Sequence, residues 1–376
     1  MNRLLHASLL PVVLASLSTV ACTAETQGDG AKVDATQSPA ELLAGQAGTP
    51  TAPVQGYAPA QTITSGRATL VVDGTSYDLL SYSFGVSRAA EAGVTREAAR
   101  PELASLHVLV RPSAKEAVLR KAVLDRRPLE TVKIVLFPNV DAGVKQVPIE
   151  LAVFGTSFVE SMGTAAGGST TESYALAASK VTVAYAGASA TVDALTGTAT
   201  AVGCGSPASL PTYSQANAGE LATYPLLPGA TRLDGVSVGI TSPSADPSKG
   251  GGMSTPKLEG IYLGGNLERG GVCGFYYAAS SAMLETAKFG VAGAIGATTG
   301  KKPYESISWT ACKGGVDSVQ IASGGEGAPI EVIQLGAAGL LRTDRTLDAK
   351  TGKLTESSTG WSFANHGSIA SCAEAL

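Results

Sequence analysis

The sequence predicts a mainly β chain: two tandem small β-barrels, each with one short α-helix, after a signal peptide and a disordered linker. Three observations carry this reading. The 376 residues include 45 glycines and only 15% charged side chains, a composition of short strands and tight turns. Apolar and β-branched runs of strand length recur between turn signals from about Ile63 onward. The order of elements in the first half then returns, faintly, in the second.

The leader comes first. Asn2 and Arg3 give a short basic start, and Leu4 to Leu17 is mostly apolar, interrupted by Pro11. That run is too short to span a bilayer and has the three-part layout of a secretory signal. It ends Ser18-Thr19-Val20-Ala21-Cys22, which resembles a bacterial lipobox and implies lipidation of Cys22. Thr19 stands where Leu, Val or Ile is usual, so ordinary cleavage near Ala21 or Ala24 is the alternative. The expected location is therefore the outer membrane or cell surface as a lipoprotein, with a soluble secreted or periplasmic form as the alternative. No later stretch is long and apolar enough for a transmembrane helix, so membrane contact is expected through the lipid anchor only.

Residues 1–22 are thus the signal peptide and 23–61 a disordered linker, rich in Thr, Gln, Gly and Ala and punctuated by Pro39, Pro50, Pro53 and Pro59. What remains is more than one compact core normally serves. A first domain is placed at 62–202 and a second at 203–376. The formal charge of -4 leaves no basic field for nucleic acid, which is not an expected partner.

In the first domain, Ala68 to Val72 and Tyr77 to Val86 are strands flanking the hairpin dipeptide Asp73-Gly74. Leu103 to Val110 is a third strand, ended by Pro112. Ser113-Ala114-Lys115-Glu116 reads as a capping box opening a helix to about Asp125, with Glu116 and Arg120 as an i,i+4 pair. Strands follow at Thr131 to Phe137, Ile149 to Phe158, Tyr174 to Tyr185 and within Thr191 to Val202.

The second half repeats this order. Arg127 to Val132 reads against Lys302 to Ile307, Pro148 to Leu151 against Pro329 to Val332, and Thr171 to Ser173 against Thr355 to Ser357. Leu258 to Leu263 supplies the matching strand and Ser281 to Ala292 the matching helix. The aromatic cluster Phe275, Tyr276 and Tyr277 is expected on a buried strand beside Cys273.

Setting Cys22 aside, Cys204, Cys273, Cys312 and Cys372 remain, all in the second half. An even number in an exported chain reads as two disulfides, and the absence of C-x-x-C spacing argues against zinc. Three pairings are open. Cys204 with Cys372 and Cys273 with Cys312 is preferred, because the former would tie that half's ends together.

The first domain resembles the tube protein family of the type VI secretion system, the Hcp family. The resemblance rests on Asp78 to Ser87, similar to that family's alternating strand, on the strand and capped helix at Leu106 to Arg127, on Pro128 to Phe137, and on Glu172 to Tyr185. The second domain resembles the same fold more distantly, with a Gly-rich insertion around Lys249 to Met253. The resemblance implies a non-catalytic β-barrel with one helix and ring-forming edges. A structural subunit follows as the expected function, a homo-oligomer in which three two-domain chains form a pseudo-hexameric ring. The alternative is a monomeric envelope module presenting loops to a glycan, peptide or protein partner.

Candidate chemistry is thin. Gly235-Val236-Ser237-Val238-Gly239 matches G-x-S-x-G, but the alternation reads as a strand and Pro243 follows, so a hydrolase built on Ser237 with His107 or His366 is a distant alternative. Glu150 with Glu331, and Glu130 with Glu305, occupy matched positions in the repeats, where duplication accounts for them better than paired acid–base catalysis. Gly250 to Gly252 and Gly324-Gly325 lack the Lys-Ser/Thr of a phosphate cradle. No catalytic residue, cofactor or metal is assigned.

Overall fold

Residues 66–88, 100–112, 117–138, 146–167, 169–204, 221–224, 231–233, 235–241, 255–280, 282, 284–293, 304–324, 328–348 and 350–376 are described by a computed structural model of the protein. Cys22, the linker, the capping box at Ser113 to Glu116 and the insertion at Lys249 to Met253 lie outside the described residues.

The first half is built from β1 (Gly66–Val72), β2 (Thr75–Ser87), β3 (Glu102–Val110), α1 (Ala117–Asp125), β4 (Val132–Pro138), β5 (Ile149–Phe154), β6 (Ser157–Gly167), β7 (Ser169–Ala178), β8 (Lys180–Tyr185), β9 (Ala188–Asp193) and β10 (Thr198–Val202). The β1–β2 turn has Asp73 at φ 46° and Gly74 at φ 82°, the positive pair a two-residue hairpin needs. Ala186 and Gly187 do the same between β8 and β9. Two strands expected to be continuous are broken by corners. At Gly155–Thr156 the chain leaves β4 and β8, the neighbours of β5, and as β6 joins β7; at Ser179 it returns, β7 lying on β3 and β8 on β5. The breaks fall at Gly155-Thr156-Ser157 and Ser179-Lys180, small or polar residues short enough to pass for the outward-facing positions of one continuous strand.

The second half contributes β11 (Leu221–Tyr224), β12 (Thr231–Leu233), β13 (Gly235–Thr241), β14 (Lys257–Asn266), α2 (Arg269–Ser280), β15 (Leu284–Gly293), β16 (Tyr304–Ser323), β17 (Ile330–Leu347), β18 (Leu354–Ser362), β19 (Gly367–Ser368) and a 3-10 turn at Cys372–Glu374. The expected helix at Ser281 to Ala292 is corrected: its residues from Leu284 onward form β15, paired with β11 and β16. The helix lies earlier, over Phe275 to Tyr277, where a buried strand was expected. It was hidden because nearly all of it is buried, so no polar face marks a 3.6-residue period.

Among the described residues, all strand pairings are antiparallel and link 19 strands into one connected sheet network. One layer runs β2–β1–β4–β5–β8–β9–β10. The other runs β6–β7–β3–β2–β16–β17–β14–β13, so the two halves join where Ser318 to Ser323 of β16 pairs with Ser87 to Tyr82 of β2. The β16–β17 hairpin then passes into a third layer, with β15 and β11 on one side and β18 and β19 on the other. The change of neighbours falls at a bulge between Val316 and Ser318.

The chain is mainly β, as expected, but the expectation of two closed barrels is corrected: among the described residues the sheets stay open, and one buried apolar cluster draws residues from both halves. Phe84 of β2 meets Phe154 of β5 edge-on at 5.4 Å and Phe275 of α2 at 6.1 Å. Helix α2 lies among β8, β9 and β10 of the first half and β2, β16 and β17.

Candidate functional site

The residues with possible acid, base or nucleophile chemistry are scattered. Ser237 is exposed on strand β13, opposite Tyr262, as the alternation indicated. His107 lies on β3 between Ser83 and Ala175, its pKa lowered by partial burial against the pull of the Glu160 carboxylate. His366 occupies the turn between β18 and β19 at φ 55°. Glu130 and Glu150 share a groove of about 490 Å³ with Asp73 and Lys133, and Lys133 Nζ donates to Glu150 at 2.8 Å. Glu331, the sequence counterpart of Glu150, is instead almost fully buried beside α2. Glu305 lies in the backbone of β16, across from Ala292. Among the described residues, no group of three or more His, Cys, Asp or Glu is placed to hold a metal ion. No described helix is long and apolar enough to cross a membrane.

The cysteines pair differently from the preferred arrangement. Cys204 bonds to Cys273, joining the end of β10 to α2, and Cys312 bonds to Cys372, joining β16 to the C-terminal turn. The preference failed because it assumed that the second half folds around its own ends, whereas α2 packs into the first half. Arg269 adds to the first link, donating from Nε to the carbonyl of Gly203 at 2.8 Å and from Nη2 to the same oxygen.

Buried carboxyl groups hold both helices. The backbone N–H of Glu268, just before α2, donates to Oε2 of Glu331 at 3.2 Å. Burial pushes the Glu331 carboxyl up to about 8, against the pull of the Glu268 and Gly271 N–H groups. On α1, Arg120 reaches Glu172 of β7 at 2.8 Å, and Tyr174 donates to the same carboxylate at 2.6 Å. Burial alone would raise the Glu172 pKa; the donors Tyr174 and Arg120 win and hold it below the usual carboxylate range.

A second concave surface was missed in the sequence. It is a groove of about 540 Å³ lined by Val236, Val238 and Ile240 of β13 and by the third layer's residues, including Trp309, Arg342 and Trp361. These last three come from β16, β17 and β18. Strand register explains the grouping: Phe289, Trp309, Arg342 and Thr359 face one another in a single cross-strand row, and Ala311, Leu340 and Trp361 in the next. Trp309 stacks with Phe289 at 5.6 Å, and the Arg342 guanidinium, forked onto Asp344, lies 5.9 Å from the Trp309 ring centre. Trp309 and Trp361 are the chain's only tryptophans, the one sequence signal that could have drawn attention here.

Open strand edges are the second feature. Beyond Ser157, which bridges to Leu129, β6 pairs only with β7 among the described residues, and its Phe158 and Met162 are exposed. Likewise β10 pairs only with β9, and β13 only with β14.

No family model and no curated protein matches the chain. Solved structures of type VI secretion proteins do. One, described as a type six secretion system protein, is 14% identical, with 40% of this chain and 100% of that chain covered, at a TM-score of 0.33. Hcp1 from Salmonella typhimurium is 14% identical over 40% of this chain and 99% of its own, at 0.30. Hcp1 from E. coli EAEC 042 is 10% identical over 39% of this chain and 99% of its own, at 0.29.

Proposed function

We propose that the chain is a non-enzymatic, exported structural subunit, tethered to a membrane by lipid on Cys22, that assembles with its own kind by pairing strand edges. Three chains, each contributing two divergent halves of duplicated origin, would close a pseudo-hexameric ring. The observation that carries this reading is the open edge of β6. It presents a row of backbone N–H and C=O groups together with exposed Phe158 and Met162, and edge pairing satisfies such groups without demanding particular side chains. The test is light scattering on residues 23–376, oxidised, across a wide concentration range. A discrete mass of three chains supports the ring; a monomer at the highest concentration removes it.

A second reading, an envelope module that binds a glycan, peptide or protein partner, is favoured by one observation, the tryptophan groove. The groove is built on strands rather than on loops. Titration with cell-wall glycans and with extended apolar peptides, followed by tryptophan fluorescence, tests it directly, since both fluorophores line the site. An unchanged spectrum with every ligand removes this reading.

A further inference from the structure

Helix α2 is poorly made to be a helix by itself. Gly270, Gly271 and Gly274 fall within its 12 residues, each disfavouring the helix, and that length is marginal even for good helix formers. Its support comes from elsewhere: the Glu331 carboxylate at its start, the Arg88 guanidinium on the carbonyls of Ala278 and Ala279 at its end, and the Cys204–Cys273 bond in its first half. The two sulfurs of that bond differ in access. Cys273 is fully buried, whereas Cys204 is partly exposed at the end of β10. Residues 66–202, which make the layer that α2 packs against, contain no cysteine.

We propose that the Cys204–Cys273 bond is a redox latch on α2. Oxidised, it holds the helix among β8, β9, β10, β2, β16 and β17. Reduced, the helix leaves that seat and bares the inner faces of β9 and β10, while the core around Leu70, Ile134 and Leu151 stays folded. A small dithiol opens the latch at its accessible end. One thiolate of the dithiol bonds to Cys204 Sγ; the Cys204–Cys273 bond breaks, and Cys273 Sγ leaves with the electron pair and takes up a proton. The second thiolate of the dithiol then displaces Cys204 Sγ, which is protonated in turn. The protein disulfide is reduced to two thiols and the dithiol is oxidised to a cyclic disulfide. Seating of α2 thereby becomes dependent on an oxidising compartment, whether or not the chain assembles.

Hydrogen exchange on residues 23–376 tests the latch, comparing the oxidised chain, the chain in dithiothreitol, Cys204→Ser/Cys273→Ser, and Cys312→Ser/Cys372→Ser. Amides of 269–280 are expected to lose about 100-fold in protection in the second and third samples, while those of 132–138 and 181–185 change by less than roughly 3-fold. The fourth sample should keep 269–280 protected. Protection of 269–280 that survives in Cys204→Ser/Cys273→Ser overturns the latch. So does uniform loss across 132–138, 181–185 and 269–280, because the bond would then be a global staple.

Discussion

The guanidinium of Arg88 donates from Nε to the carbonyl oxygen of Ala278 at 3.2 Å, and from Nη2 to that of Ala279, across 190 residues of sequence. Arg88 is buried, and its own backbone N–H donates to Asp317 at the bulge of β16. One side chain thus holds the last carbonyls of α2, where positive charge is favoured, and its backbone marks where β2 meets β16. Replacing Arg88 by Leu leaves those carbonyls without their donors and should lower stability by about 3 kcal/mol. Arg88→Lys should recover only part, since its donors share one nitrogen, whereas the planar guanidinium reaches the two carbonyls from separate nitrogens, Nε and Nη2. Urea unfolding decides this: a midpoint unchanged in Arg88→Leu would mean that α2 is held without it.

Glu331 stands at the other end of the helix and predicts a pH dependence. Its folded pKa, about 8, lies above the ordinary 4.5, so between those values the folded chain binds a proton that the unfolded chain has released. Stability from this group is full below pH 4.5, falls as pH rises through the window, and levels off above 8. The slope approaches about 1.4 kcal/mol per pH unit. Glu331→Gln should flatten that segment. A curve identical to the parent's would show that Glu331 is not the group responsible.

At Gly271 two effects of opposite sign compete. Alanine improves helix propensity by about 1 kcal/mol. A Cβ there, however, would overlap the Glu331 carboxylate, which cannot retreat without giving up its backbone donors. Overpacking of this kind costs roughly 1–3 kcal/mol, so Gly271→Ala should be net destabilising. Gly324→Ala, with nothing near its added carbon, serves as the control and should stay near the parent in thermal unfolding.

Acid should act in the reverse sense on Glu172. Its pKa is depressed by Tyr174 and Arg120, so its contribution is present above the unfolded carboxyl range and is lost as pH falls through the folded value. Tyr174→Phe removes the 2.6 Å bond and should cost about 1–2 kcal/mol at pH 7. At pH 3 the difference from the parent should shrink. Paired denaturation curves at the two pH values check this, and equal differences at both would contradict it.

The Cys312–Cys372 bond closes a separation of 60 residues and draws Ile369 and Ala375 onto the back of the third layer, where Gly339 and Gly360 leave room for them. Its removal as Cys312→Ala/Cys372→Ala should cost about 4 kcal/mol on the loop-entropy model. Calorimetry should show a lower Tm, and an unchanged Tm would mean that packing alone fixes the C-terminus.

Much of the first half was legible residue by residue. Asp73-Gly74 marks its hairpin by chemistry, since only residues tolerant of positive φ fit there, and the strands from Ala68 to Val110 follow the alternation of buried positions. The corners at Gly155–Thr156 and Ser179 were not legible, because one or two small or polar residues there look no different from the outward-facing positions of a continuous strand. In the groove, Trp309, Arg342 and Trp361 each look ordinary on their own strands; only register brings them into adjacent rows.

Local chemistry and periodicity by themselves determined the mainly β class, the turn at Asp73-Gly74, the strand character of the segment carrying Ser237, and the presence of four pairable cysteines beyond Cys22. Tertiary structure alone decided which cysteines bond, that α2 is a helix, that β2 pairs with β16, and that Glu150 and Glu331 differ in burial despite matched sequence contexts. The division has a physical reason. Turn geometry and strand alternation are set by neighbours within a few residues, whereas partner choice depends on which faces must be buried together by segments as distant in the chain as Tyr82 and Ser323.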